Sequence, residues 1–307
     1  WESLRREPEI EPDALTRIWA QFWRKVPVAL RWQIRRYPVY MVLGDDRSGK
    51  SELIRCCASL DIQANRYHHS IVDAEYVRIY LGNESIILEV SASFLHANTP
   101  DHANALLRLW KRLPTNAHLV LTLDAFEMMH GNEQQQNQVA QALIGKLALF
   151  GEFNQQPVPY SLVLTHMDRI QGFRSVLAFV DENNFDLSVK LTADDPIANF
   201  AQGLDYYSQF STSPLLHCDT RSFVEILNFF SNIKETLVTL QGLMQQALNQ
   251  NSISSSDLRK VCLVSNAAGD SPHQLHSNNP FLQEAVKERL LDRVNRSHLR
   301  IAAAIAL

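Results

Sequence analysis

The sequence predicts an α/β fold: a mostly parallel sheet with helices on both faces, built around a loop suited to phosphate. Three observations lead there. Short apolar runs of strand length alternate with longer segments whose apolar residues recur at helical spacing. The first of these runs is followed at once by Gly44-Asp45-Asp46-Arg47-Ser48-Gly49-Lys50-Ser51. A Gly82-Asn83 pair joins two further strand-like runs as a hairpin, which adds one antiparallel strand.

Residues 1–36 form an amphipathic helical lead-in. Leu15, Ile18, Trp19, Phe22, Trp23, Val26, Leu30 and Ile34 recur among charges at helical spacing, and Pro27 interrupts the helix. Residues 37–195 carry the α/β pattern. Tyr40-Met41-Val42-Leu43 reads as a buried strand ending at Gly44, and Ser51 to Leu60 as a helix. Tyr76 to Leu81 and Ser85 to Val90 are the hairpin strands. Ala103 to Leu113 is a helix, Ala117 to Leu123 an apolar strand, Gln134 to Phe150 a long helix stopped near Gly151, and Ser161 to Thr165 another buried strand. Residues 196–307 read as a mainly helical extension: a long helix over Arg221 to Asn249 with a kink near Gly242, a polar loop, a short strand over Lys260 to Val264, and a helix from Pro280.

Composition narrows the function. With 307 residues the chain has room for about two domains. The formal net charge of -4 provides no basic field, so nucleic acid is not an expected partner. The four cysteines, Cys56, Cys57, Cys218 and Cys262, match no zinc spacing and point to buried thiols in a reducing compartment. His68-His69 reads as a loop pair, since no partner has ligand spacing. No Ser/His/Asp spacing points to a hydrolase triad. The final run, Ile301 to Leu307, follows Arg293, Arg296 and Arg300. It is too short to span a bilayer; it reads either as the first turns of a membrane helix or as an Ala-rich terminal helix.

Gly44 to Ser51 fits G-x-x-x-x-G-K-[ST], and it stands between a predicted strand and a predicted helix, the context such a loop needs. The glycines let backbone N–H groups ring a phosphate. Lys50 reaches the terminal phosphates, Ser51 offers a hydroxyl to Mg2+, and the helix aims its positive end at the anion. The expected ligand is Mg2+ with GTP or ATP. Asp45 and Asp46 complicate the loop, because carboxylates repel phosphate unless they point outward or pair with Arg47. An acid on a neighbouring strand is needed to hold the metal. Glu89 is placed for that role, with Asp124 as its rival. Thr165-His166-Met167-Asp168 resembles the base-reading pattern [NT]-K-x-D of GTPases, with Thr165, His166 and Asp168 as base-binding candidates. His166 stands where the informative lysine belongs, so guanine and adenine both stay open. Ser188-Val189-Lys190 faintly resembles the last GTPase loop.

Taken in order, these features resemble the IcmF-type inner-membrane proteins of type VI and Dot/Icm-like type IVB secretion systems. The resemblance runs through Tyr37-Pro38-Val39-Tyr40-Met41-Val42-Leu43-Gly44, Glu89-Val90-Ser91-Ala92 in the place of the family's D-T-A-G, Leu113-Pro114-Thr115-Asn116, and Leu164 to Asp168 followed by Gly172-Phe173. It continues through Leu258 to Ser265 and Phe281-Leu282. It implies a GTPase-like P-loop domain on the cytoplasmic face of the bacterial inner membrane, part of a larger membrane-anchored protein. It also implies a small DotU-type inner-membrane partner. The departures imply a weak catalyst. Ala92 replaces the glycine that senses the γ-phosphate, Ser93 and Phe94 follow where a water-positioning Gln would stand, and residues 61–75 offer Ser70 but no Thr for the first switch. The expectation is nucleotide binding with weak or no hydrolysis in support of assembly. An active GTPase or ATPase energising secretion, and a scaffold that binds only partner proteins, are the alternatives.

Overall fold

The computed structural model describes residues 10–58, 71–81, 85–97, 99–114, 117–154, 158–183, 189–190, 218–249 and 256–264. The helix expected from Pro280, the terminal apolar run, His68-His69, Ser70, Gly82-Asn83 and Ser188 lie outside them.

Two helices open the fold, α1 (Ala14–Lys25) and α2 (Val28–Ile34), divided at Pro27 as expected. Strand β1 (Val39–Gly44) then feeds α3 (Lys50–Ala58). A short β2 (Val72–Asp73) and the hairpin β3 (Val77–Leu81) and β4 (Ile86–Val90) follow. Next come α4 (Ser93–His96), α5 (Pro100–Arg112), β5 (Ala117–Asp124), α6 (Ala125–His130), α7 (Glu133–Asn154) and β6 (Val158–Thr165). A 3-10 turn (Met167–Arg169), α8 (Phe173–Asn183), β7 (Val189–Lys190), α9 (Thr220–Asn249) and β8 (Ser256–Leu263) complete the described chain.

The sheet has eight strands in the order β2-β3-β4-β1-β5-β6-β8-β7. Its centre is parallel: β4, β1, β5, β6 and β8 run the same way, while β2, β3 and β7 pair antiparallel toward the edges. Every residue of β1 and β4 is buried, which is why both read as unbroken apolar runs rather than as alternation. Alternate β1 residues still serve opposite faces. Val39, Met41 and Leu43 join the large core with α1, α5, α7, α8 and α9, whereas Tyr40 and Val42 pack with Leu53 and Ile54 of α3. Helices therefore cover both faces.

Two expectations change. The strand near Lys260 is not part of a separate extension: β8 pairs in parallel with β6 inside the main sheet, so the chain beyond residue 195 returns to the core that residues 37–195 begin. The long helix does not stop near Gly151 but runs to Asn154, since a glycine in a well-packed helix costs only about 1 kcal/mol. The long helix expected over Arg221 to Asn249 is present as α9, with Gly242 inside it. Among the described residues no helix is long and apolar enough to cross a membrane.

Candidate phosphate-loop site

Strand β1 delivers the chain to Gly44 at the carboxyl end of the sheet, and α3 starts six residues later at Lys50. The turn between them closes through Gly49, whose φ of 69° is a conformation that favours glycine. Gly44 is required for a different reason. A Cβ there would overlap the hydroxyls of Thr122 and Ser48 and come within 2.8 Å of the Thr122 carbonyl. The Ser48 hydroxyl is 2.7 Å from that of Thr122 and 2.8 Å from the Asp45 carbonyl. From β6, Thr165 Oγ1 lies 2.8 Å from the Ser48 carbonyl and 3.1 Å from that of Leu123. The loop is thus braced by two buried threonines on two neighbouring strands.

Lys50 is buried, and its ammonium donates to the carbonyls of Gly44 at 2.6 Å and Asp45 at 2.5 Å, so it spans the mouth of the loop. Burial pushes it below its usual value, against the upward pull of Glu89, Asp46 and Asp45. Ser51, the next residue, donates its hydroxyl to Glu89. Glu89 is buried, accepts a second hydrogen bond from the Tyr80 hydroxyl at 2.8 Å, and has the Arg78 guanidinium 3.9 Å away. Burial first, then the bond to Glu89, raises the Tyr80 phenol well above its ordinary value. Mg2+ takes oxygen ligands and fills its shell with phosphate and water. Ser51 and Glu89 fit that chemistry, and among the described residues no group of three His, Cys, Asp or Glu side chains could hold a metal unaided.

The two loop carboxylates differ in their partners, and Asp46 lines the cavity of Lys50 and Ser51. Asp45 Oδ1 accepts the Asp46 N–H at 2.8 Å and meets His96 Nε2 at 3.1 Å. Burial raises Asp45, but the His96 contact and the Asp46 N–H outweigh it and hold the carboxyl below its usual range. Asp46 is exposed.

Of the base-motif residues, Thr165 touches this loop directly. Thr165 is fully buried and its hydroxyl serves the loop and strand carbonyls. His166 takes a left-handed conformation, φ 55° and ψ 31°, and places Nδ1 2.8 Å from Asp124 Oδ2. Asp168 lies half-buried in the turn that follows. Asp124, the rival metal acid, is engaged elsewhere. Its other oxygen accepts the N–H groups of Phe126 at 2.9 Å and Glu127 at 3.2 Å, capping α6. Burial raises Asp124, and His166 together with those N–H groups more than reverses this. Of the two acids, Glu89 is the one the fold brings to Ser51. Val189 and Lys190 form the edge strand β7, and the strand that reaches the base-motif turn is β8, whose following residue Val264 accepts the Met167 N–H at 3.3 Å.

The chain has an α/β fold in which a strand–loop–helix unit of phosphate-loop pattern opens at the carboxyl end of a mostly parallel sheet. Two cavities flank the loop. One of about 210 Å³ is lined by Lys50, Ser51, Glu89, Arg78 and Ala92, and a larger one of about 460 Å³ lies past Asp45, His96, Asp124 and Gln135. The smaller holds the phosphate and metal groups, so size does not choose the site here. Sequence reading missed Arg78, Tyr80, Thr122 and His96. Two of these are set by strand register, which only the folded sheet gives: Arg78 sits opposite Glu89 in the hairpin and Thr122 opposite Gly44 in the parallel pair.

No known family model matches the chain, and no curated protein does. Among solved structures it is similar to a dimerization-deficient mutant of Toc33 from Arabidopsis thaliana, with 15% identity over 85% of this chain and 82% of that one, at a TM-score of 0.30. It is also similar to the cytosolic domain of L. pneumophila FeoB, with 13% identity over 70% of this chain and 91% of that one, at a TM-score of 0.26.

Proposed function

We propose that the chain binds GTP or ATP with Mg2+, hydrolyses it weakly or not at all, and supports assembly of a bacterial secretion complex as the cytoplasmic domain of an IcmF-type inner-membrane subunit. The arrangement that carries the nucleotide part is Lys50 laid across the loop mouth with Ser51 bonded to Glu89, the phosphate and metal groups of a P-loop gathered at one helix start. Weak turnover is supported by the segment after β4. Where a GTPase keeps a switch free to rearrange around the γ-phosphate, Phe94 and Leu95 are fully buried, and Phe94 packs edge-on against Tyr76 and His102. Ser93 and Phe94 stand where the water-positioning Gln of a GTPase would be. The secretion role and the DotU-type partner are supported by the order of motifs from Tyr37 to Ser265.

Steady-state phosphate release, measured with Mg2+ alone and with a DotU-type protein added, tests this reading. It predicts Lys50-dependent turnover in the chain alone that is absent or far below roughly 1 s⁻¹. Turnover at roughly 1 s⁻¹ or faster, in the range of ordinary enzymes, would make the chain an energising NTPase instead.

A further inference from the structure

The charge on this chain is unevenly placed. Net charge is -4, yet residues 14–44 contain Arg17, Arg24, Lys25, Arg31, Arg35 and Arg36 and no carboxylate; of these Arg17 pairs with Glu11, just outside the stretch. The same stretch is the most exposed apolar part of the described surface. The large hydrophobic side chains left exposed are Val28, Leu30, Trp32, Phe153, Val224 and Val238, and the first three belong to the seven residues of α2. Val28 is 76% exposed and Trp32 69%, while Ile34 is the buried residue that ties α2 to the core. The Arg36 guanidinium lies over the Trp32 ring at 3.7 Å, which keeps cation and indole side by side at the surface. Beside α2 a cavity of about 240 Å³ is lined by Trp19, Trp23, Ile34, Arg35 and Arg112, two guanidinium groups against apolar walls.

We infer that α2 and this cavity form a docking surface for an anionic phospholipid bilayer. Val28, Leu30 and Trp32 enter the boundary between head groups and acyl chains. Arg31, Arg35, Arg36 and Arg112 meet the lipid phosphates. The combination selects the partner. The cations on and beside α2 suit any polyanion, but a soluble polyanion would leave three large apolar side chains in water. An apolar protein groove would cover them but offers nothing to the guanidinium groups of Arg31, Arg35 and Arg112 beside them. An anionic bilayer offers both a negative plane and an apolar layer beneath it. The placement also leaves the phosphate loop free. Arg36 is followed within three residues by the start of β1, and Gly44 ends it, so the surface and the loop lie at opposite ends of a strand roughly 20 Å long. The inference stands apart from nucleotide binding and survives its failure.

Co-sedimentation of this chain with vesicles tests it. Vesicles of phosphatidylcholine alone are compared with vesicles that also contain phosphatidylglycerol, and heparin serves as a soluble polyanion. The chain is expected to bind the anionic vesicles at least tenfold more tightly than the neutral ones. Arg35→Ala and Arg36→Ala should each weaken this by about fivefold. Val28→Ser combined with Trp32→Ser should cut vesicle binding at least tenfold and leave heparin binding unchanged. In the wild type, bromine-labelled acyl chains should quench indole emission, and Trp32→Phe, a variant that conserves the fold, should remove part of that quenching. No binding to anionic vesicles overturns the inference. So does an unchanged affinity of the Val28 and Trp32 double variant, or an emission that the labelled chains do not touch; either result means the surface meets polyanions or protein instead.

Discussion

The hydroxyls of Ser48 and Thr122 lie 2.7 Å apart and fasten the phosphate loop to the strand beside the one that delivers it. Gly44 is wedged under this contact with no room for a methyl group. The loop's shape is therefore held by the sheet before any anion arrives.

Thr122→Val keeps the shape of the side chain and removes the hydroxyl. It should lower unfolding stability by about 1–2 kcal/mol, because Ser48 loses a buried partner. Gly44→Ala should cost about 1–3 kcal/mol through the forced overlap. Urea denaturation reads both. A Gly44→Ala protein as stable as the wild type would mean that the loop packs differently from this description.

Asp124 should link stability to pH. Its carboxyl is held below the usual value in the folded state, so the stability it contributes is present above about pH 4 and is lost as pH falls through the lower folded value. Asp124→Asn keeps an oxygen to cap α6 and loses the charge beside His166. The variant should be less stable than the wild type by about 1 kcal/mol at neutral pH. The difference should shrink as the wild-type carboxyl is protonated below pH 4. Denaturation curves at several pH values check this, and a gap that widens on acidification would have the wrong sign.

Tyr80→Phe removes one donor to Glu89, and Ser51→Ala removes the other. Each should cost about 1 kcal/mol, and the pair should cost other than the sum, because both act on one carboxylate. A double-mutant cycle by chemical denaturation measures the coupling. Strict additivity would show that the two bonds do not meet at Glu89.

Phe94→Ala should destabilise the fold by about 3–5 kcal/mol, the usual cost of emptying a large aromatic site in a core. A loss below 1 kcal/mol in a thermal or urea melt would mean that the segment after β4 is not anchored, and would restore it as a candidate switch.

Much of this architecture was legible from local pattern. The apolar runs of β1 and β5 and the eight residues between Gly44 and Ser51 announce themselves within a few positions, and Glu89 follows from its place at the end of the hairpin strand. Contacts made only by folding were not legible. Strand β8 belongs to the sheet through its pairing with β6, about a hundred residues earlier, and nothing within Ser256 to Leu263 says so. Helices α4 and α6 span four and six residues, too few to show a helical period. Thr165 illustrates how a motif can be recognised while one member's task is not: its hydroxyl supports Ser48, and only the parallel stacking of β1, β5 and β6 reveals this.

Calorimetric titration of the wild type and of Lys50→Ala with GTP, GDP and ATP in the presence of Mg2+ tests the central claim most directly. The ammonium of Lys50 is laid across the carbonyls of Gly44 and Asp45 in the loop. The account predicts measurable binding to the wild type and at least tenfold weaker binding to the variant, a difference of about 1.4 kcal/mol or more. Equal affinities in the two proteins, or heat from neither, would contradict it.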